Sequence, residues 1–179
     1  MTLQKILIVD DAPADRLMLS RCLRARQPDI EIVQLERAEE ATAYLREHTV
    51  DCMFLDIHLP GFSGIEFLAG LRQAGLMPCA VVAMTGSGSD RVAVDALKAG
   101  AHDYLPKGRV NEVSLWDAVA YAMSRYQLQR ETRQRELQLE ELNQELERKD
   151  RIKTQFVANA SHELRTPVAA ITGLIGLMQ

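Results

Sequence analysis

No apolar run in this chain exceeds six residues; the longest are 79–84 and 118–123. A membrane-spanning helix needs about 20, so no transmembrane helix is expected. The opening MTLQKILIVDDAP meets two aspartates too soon for a signal peptide. Cysteine is scarce and odd in number: Cys22, Cys52 and Cys79, each among apolar neighbours. That excludes a disulfide framework and leads us to expect reduced thiols in a cytoplasmic protein. Charge of one sign is also lacking. The net charge of -4 gives no basic footprint, so a nucleic-acid partner is not expected. Finally, glycine and proline are absent from 109 to 166, a stretch of 58 residues, although eight of the ten glycines and five of the six prolines precede it. As one helix it would be about 87 Å long, too long for a single globular domain of this size. A compact domain followed by a long helix is therefore expected.

What is present is the balance of a globular protein, 47% apolar and 26% charged. Short apolar runs alternate with amphipathic stretches. The runs are 5–10, 30–35, 51–56, 79–85 and 102–106; they are partly β-branched and closed by polar or turn residues. Buried parallel strands read this way. Between them, 14–26, 38–47, 64–74 and 90–99 have helical spacing, as does the chain from Val110 onward. Five β-α units imply an α/β fold with an open parallel sheet covered on both faces. The functional crevice of such a sheet lies at the carboxyl ends of its strands.

Those ends carry Asp10 and Asp11, Asp56, Thr85 and, after the fifth run, Lys107. Three carboxylates, a hydroxyl and an ammonium then converge on one sheet edge. Clustered carboxylates repel and call for a cation, and hard oxygen ligands favour Mg²⁺. A lysine adds a mobile point charge for a carboxylate or a phosphoryl oxygen. A carboxylate nucleophile attacking phosphorus needs these groups: a metal and a lysine to offset charge, a hydroxyl to hold an equatorial oxygen, and an aspartate to form the acyl phosphate.

The motifs IVDD (8–11), FLDIHLPGFSG (54–64), AMTG (83–86) and AGAHDYLPKG (99–108) make residues 1–123 resemble the receiver domain of two-component response regulators. The resemblance implies a flavodoxin-like (βα)5 fold with a five-stranded parallel sheet. It implies Asp56 as phosphoacceptor and Mg²⁺ held by Asp10, Asp11, Asp56 and the backbone carbonyl of His58. It makes Thr85 the switch hydroxyl, Tyr104 the switch aromatic and Lys107 the family's lysine. Gly108 stands where the family usually has proline after that lysine. A cis bond is costly without proline, so none is expected. The His58 side chain is read as a surface histidine.

Beyond Met123 the chain is dense in mixed charge, with 15 of the 29 residues 125–153 charged, eight basic and seven acidic. Leu128, Leu139, Leu142, Leu146 and Phe156 recur at three-four spacing, interrupted by Arg135, Lys149 and Lys153. That pattern predicts a parallel two-stranded coiled coil over 124–155. The segment FVANASHELRTP (156–167) resembles the H-box of sensor histidine kinases. It implies that 156–179 is the first helix of a dimerisation and phosphotransfer domain. His162 would be the kinase phosphoacceptor, with Glu163 orienting its ring or taking its proton and Thr166 one turn further on the same face. Pro167 is expected to bend the helix.

The chain stops at Gln179 within an apolar helical pattern, without an ATP-binding segment. It is therefore read as a fragment of a hybrid histidine kinase, lacking kinase activity alone and needing ATP only in the missing kinase domain. The expected function is phosphorelay signalling. Asp56 accepts phosphate from a histidine kinase or a histidine-phosphotransfer protein, and a homodimeric coiled coil passes the change to the kinase segment. A pseudo-receiver serving only for dimerisation is the alternative, and the intact Asp10, Asp11, Asp56, Thr85 and Lys107 argue against it. A phosphatase using Asp56 as nucleophile lacks a lid loop and an acid beside it.

Overall fold

The computed structural model of the chain describes residues 3–75, 77–86 and 90–176; the side chains of Asp90, 156–158 and 160–176 lie outside that description. The main sheet consists of β1 (Lys5–Val9), β2 (Glu31–Leu35), β3 (Cys52–Asp56), β6 (Ala80–Thr85) and β7 (Asp103–Pro106). All neighbours run parallel, in the order β2-β1-β3-β6-β7. Between β3 and α3 lies a small antiparallel hairpin, β4 (His58–Leu59) with β5 (Phe62–Ser63). The helices are α1 (Pro13–Arg26), α2 (Ala38–Glu47), α3 (Gly64–Gln73), α4 (Asp90–Ala99) and α5 (Glu112–Gly176).

Strand alternation sorts the core into two layers. Leu7, Val9, Met53, Leu55 and Val81 point to one face and pack with Ala41, Phe67, Leu68 and Ala96 of α2, α3 and α4. Ile6, Ile8, Phe54, Val82 and Met84 point to the other and meet Leu19, Leu23, Leu115 and Val119 of α1 and α5. β3 and β6, paired and near the middle of the sheet, are buried at every position. Covering on both faces explains why these strands read as unbroken apolar runs. This is the flavodoxin-like fold expected from the sequence.

The chain divides into two compact units, Met1–Arg130 and Glu131–Gln179. The second is helical throughout its described residues. Its Leu139, Leu142 and Leu146 are each more than half exposed. Two cations that interrupt their spacing have a glutamate four residues earlier on the same helix: Arg135 with Glu131 at 3.9 Å and Lys149 with Glu145 at 2.8 Å. No helix of the described residues is long and apolar enough to cross a membrane. All three cysteines are free, and burial pushes the Cys79 thiol up to about 12.

Candidate functional site

The parallel sheet delivers its strand ends to one edge. Asp10 follows the last residue of β1 and is 1% exposed; Asp56 closes β3 at 3%. Thr85 closes β6 and is buried. It stands one residue beyond Met84, which pairs with Asp56. Asp11 is exposed at the mouth of the cluster. Tyr104 lies on β7 opposite Ala83 and is 37% exposed. Lys107 begins a single 3-10 turn, Lys107–Arg109, directly after β7. Peptide bonds are trans throughout the described residues.

The Lys107 ammonium organises this edge. It donates to Asp56 Oδ2 at 2.7 Å and to Asp15 Oδ2 at 2.7 Å. It also stands 2.8 Å from Asp10 Oδ2. Asp15 is absent from the expected set. It occupies the first turn of α1, four residues after Asp11. An acid there is ordinary helix-start chemistry, so only the approach of Lys107 reveals its part in the site. Burial alone would pull the lysine down. The hydrogen bonds to Asp10, Asp15 and Asp56 outweigh it, and the net shift is upward.

Asp10 is held from several sides. Its Oδ1 accepts the Ala12 amide at 2.9 Å and its carbonyl accepts Arg16 Nη1 at 2.6 Å. Arg16 also pairs with Glu36 at 2.6 Å. Burial pushes the Asp10 carboxyl up, against the downward pull of Lys107 and the Ala12 amide. Its Oδ2 is fully buried and forms an ion pair with the Lys107 ammonium at 2.8 Å.

That oxygen bears on metal binding. Carboxylate oxygens of Asp10, Asp11 and Asp56 lie within 4.8 Å of one another. Three hard anionic ligands this close, two of them buried and sharing one lysine ammonium, suit a divalent cation such as Mg²⁺. The residues present fit the metal.

The loop after Asp56 is shaped by tight backbone packing. Asp56 Oδ1 accepts the His58 amide at 3.0 Å. The His58 side chain is exposed, consistent with a surface histidine. Gly64 donates its amide to the Ile57 carbonyl at 2.9 Å. A Cβ at Gly64 would lie 2.4 Å from the Asp56 carbonyl oxygen and 2.8 Å from Ile57 Cα. Only glycine lets α3 start this close to Asp56. Ser63 caps the helix, its Oγ accepting the Ile65 amide at 3.2 Å.

Thus Asp10, Asp11, Asp56 and Lys107 come together at the sheet edge, with Thr85 ending the adjoining strand. His162, Glu163 and Thr166 lie on the helical backbone of α5, and their side chains fall outside the described residues.

Comparison with known proteins agrees with this fold and site. Residues 6–120 match the response regulator receiver domain, and residues 152–179 match the His Kinase A (phospho-acceptor) domain. The chain belongs to the response regulator receiver family. It is 36% identical over 107 residues to a protein-glutamate methylesterase/protein-glutamine glutaminase of Agrobacterium fabrum, covering 59% of this chain and 30% of that protein. Nodulation protein W of Bradyrhizobium diazoefficiens is 28% identical over 170 residues, covering 94% of this chain and 72% of its own length. Among solved structures, a two-component response regulator from Clostridium difficile superposes with a TM-score of 0.60 at 28% identity, covering 69% of this chain and 98% of that one. A receiver combined with a phospho-acceptor segment implies phosphotransfer partners of the two-component kind.

Proposed function

We propose that the receiver accepts a phosphoryl group on Asp56 in a Mg²⁺-dependent reaction and that this state regulates a histidine kinase through a dimeric helix. The observation that carries the reading is the position of Lys107, 2.7 Å from Asp56 and 2.8 Å from Asp10 among three mutually close carboxylates. An Asp56 carboxylate oxygen attacks the phosphorus of an acyl or histidyl phosphate. The bond from phosphorus to the donor breaks, and the leaving group keeps the electron pair. Lys107 holds the acceptor carboxylate in place and offsets charge on the transferring group. Asp10, Asp11, Asp56 and the His58 carbonyl would hold the Mg²⁺, which supplies further charge neutralisation. Thr85 and Tyr104 read out the phosphorylated state.

On this reading the chain comprises a receiver (1–123), a coiled-coil signalling helix (124–155) and the first helix of a dimerisation and phosphotransfer domain (156–179). The exposed Leu139, Leu142 and Leu146 form the seam of a parallel homodimer. His162 is the kinase phosphoacceptor, Glu163 orients or deprotonates its ring, and Thr166 serves dephosphorylation. Phosphorylation of Asp56 shifts the rotation or register of the helix and so the access to His162.

The test is intact mass after treatment with acetyl phosphate, with and without Mg²⁺, beside Asp56→Asn. A Mg²⁺-dependent gain of one phosphate that the variant loses is expected. Labelling that persists in Asp56→Asn, or that ignores Mg²⁺, contradicts the proposal. Placing the same helix on a kinase core without the receiver should abolish regulation.

A further inference from the structure

The Lys107 ammonium has three N–H groups and three carboxylates around it: Asp10 at 2.8 Å, Asp15 at 2.7 Å and Asp56 at 2.7 Å. Two of these anions have a second claim on them. Asp10 and Asp56, with Asp11, form the cluster whose oxygens lie within 4.8 Å of one another, and Asp15 is not a member of it. Asp15 differs in its surroundings too. Its side chain is 28% exposed, against 1% for Asp10 and 4% for Asp56. It stands in the first turn of α1, where the unpaired amides of a helix start favour an anion. The Asp15 amide is bonded to the Ala12 carbonyl at 3.1 Å, so the backbone that carries this carboxylate is fixed. The lysine is thus tied to two buried anions that a metal would need and to one more exposed anion that it would not.

A divalent cation among Asp10, Asp11 and Asp56 repels an ammonium that shares their oxygens. We propose that Asp15 is a positioning residue, which keeps the Lys107 ammonium when Asp10 and Asp56 turn to the metal. No new contact is required, since the 2.7 Å hydrogen bond between Lys107 and Asp15 already exists. Asp15 is also the most exposed of the three carboxylates. An ammonium withdrawn toward it regains water while it stays paired, which lowers the cost of leaving the buried oxygens. Without this carboxylate, Lys107 has only Asp10 and Asp56 to hold and competes with the metal for both. Asp15 thereby raises Mg²⁺ affinity through the lysine and not as a ligand. The inference rests on the Mg²⁺ site of the function proposed above, but not on phosphorylation of Asp56.

The test is calorimetric titration of the whole chain with MgCl₂ alone, arranged as a double-mutant cycle. Asp15→Asn should bind Mg²⁺ about fivefold more weakly than the parent, and Asp15→Glu should recover part of that loss. In Lys107→Met the same Asp15→Asn change should lose most of its effect, because the ammonium it serves is gone. An equal loss in both backgrounds overturns the proposal by making Asp15 a plain nearby anion. So does an Asp15→Asn variant that binds as the parent does, or a parent that binds no Mg²⁺. Should Lys107→Met fail to fold, crystals of the parent soaked in MgCl₂ decide the matter. There Lys107 Nζ should remain bonded to Asp15 and withdraw from Asp10; an ammonium that stays on Asp10 and leaves Asp15 overturns the proposal. If the cycle shows the coupling but acetyl phosphate never labels the chain, Asp15 keeps its role and the phosphorylation reading falls. Labelling of Asp56 without the coupling gives the reverse.

Discussion

His102 and Val81 exchange both of their hydrogen-bonding partners across the sheet. The His102 amide donates to the Val81 carbonyl at 2.8 Å, and the Val81 amide donates to His102 Nδ1 at 3.1 Å. The ring is 3% exposed and meets Tyr126 of α5 edge-on at 5.3 Å. The Tyr126 hydroxyl in turn donates to the Met77 carbonyl at 3.4 Å. Burial lowers the imidazole to about 4, with Arg125 adding to the effect and a hydrogen bond to Gln129 opposing it.

This arrangement gives the chain an acid-sensitive fold. A protonated ring donates at both nitrogens and cannot accept the Val81 amide. With an unfolded value near 6.5 and a folded one of about 4, the stabilisation is full above 6.5 and is lost as pH falls toward 4. From pH 7 to 5 the loss is about 2 kcal/mol. Asp10 and Asp103, both raised by burial, work in the opposite sense at lower pH. Urea unfolding at the two pH values measures the sum, and His102→Asn isolates the ring. Its amide oxygen can stand in for Nδ1, so the variant should fold with a flatter pH profile. An unchanged slope would rule the ring out as the cause.

Gly64 sets how near α3 comes to Asp56. Gly64→Ala forces backbone apart at Asp56 and should cost about 2–3 kcal/mol. Its labelling by acetyl phosphate should fall even where the chain remains folded. Gly61 is the control: its φ is +78° but a Cβ there meets open space. Gly61→Ala should cost only about 1–2 kcal/mol, from backbone strain. Denaturant midpoints and intact mass on both variants decide the matter. Similar losses at the two positions would sink the steric argument.

Lys107→Met removes the cation that three carboxylates share. Asp10 and Asp56 are then buried anions facing each other, and stability should drop by about 3 kcal/mol at pH 8. Burial already pushes the Asp10 carboxyl up, so its protonation should relieve the pair and the deficit should shrink at pH 5. Mg²⁺ should restore more stability to this variant than it adds to the parent. A deficit independent of both pH and Mg²⁺ would mean that the lysine acts by packing alone.

Leu142, more than half exposed, probes the proposed helical seam. Leu142→Lys should move the chain from dimer to monomer in sedimentation, while the receiver's melting temperature changes by little. A parent chain that already sediments as a monomer argues against the seam.

Much of this fold is legible in sequence because the central strands are buried on both faces and leave unbroken apolar runs. Asp10, Asp56, Thr85 and Lys107 are legible for the same reason, as they stand where those runs stop. The hairpin of His58–Leu59 with Phe62–Ser63 is not, since two-residue strands carry no periodicity. Cys79 and His102 read as strand residues but lie one position before β6 and β7. The burial of His102 leaves no trace in HDYLP, because histidine is found as often outside a core as within it. Asp15 escapes notice for want of any local signal beyond an acid at a helix start.

The lysine has one more consequence, for the order in which the molecule comes together. Lys107 joins Asp15 across 92 positions of sequence and Asp56 across 51. Until residue 107 has left the ribosome and β7 has joined the edge of the sheet, the acidic residues exist without their counterion. Every β-strand before β7 can be made, and even paired, while the acceptor edge still repels itself. Completion of this acidic edge thus waits on residue 107. A nascent chain halted short of this lysine would carry most of the sheet but an acidic edge without its cation.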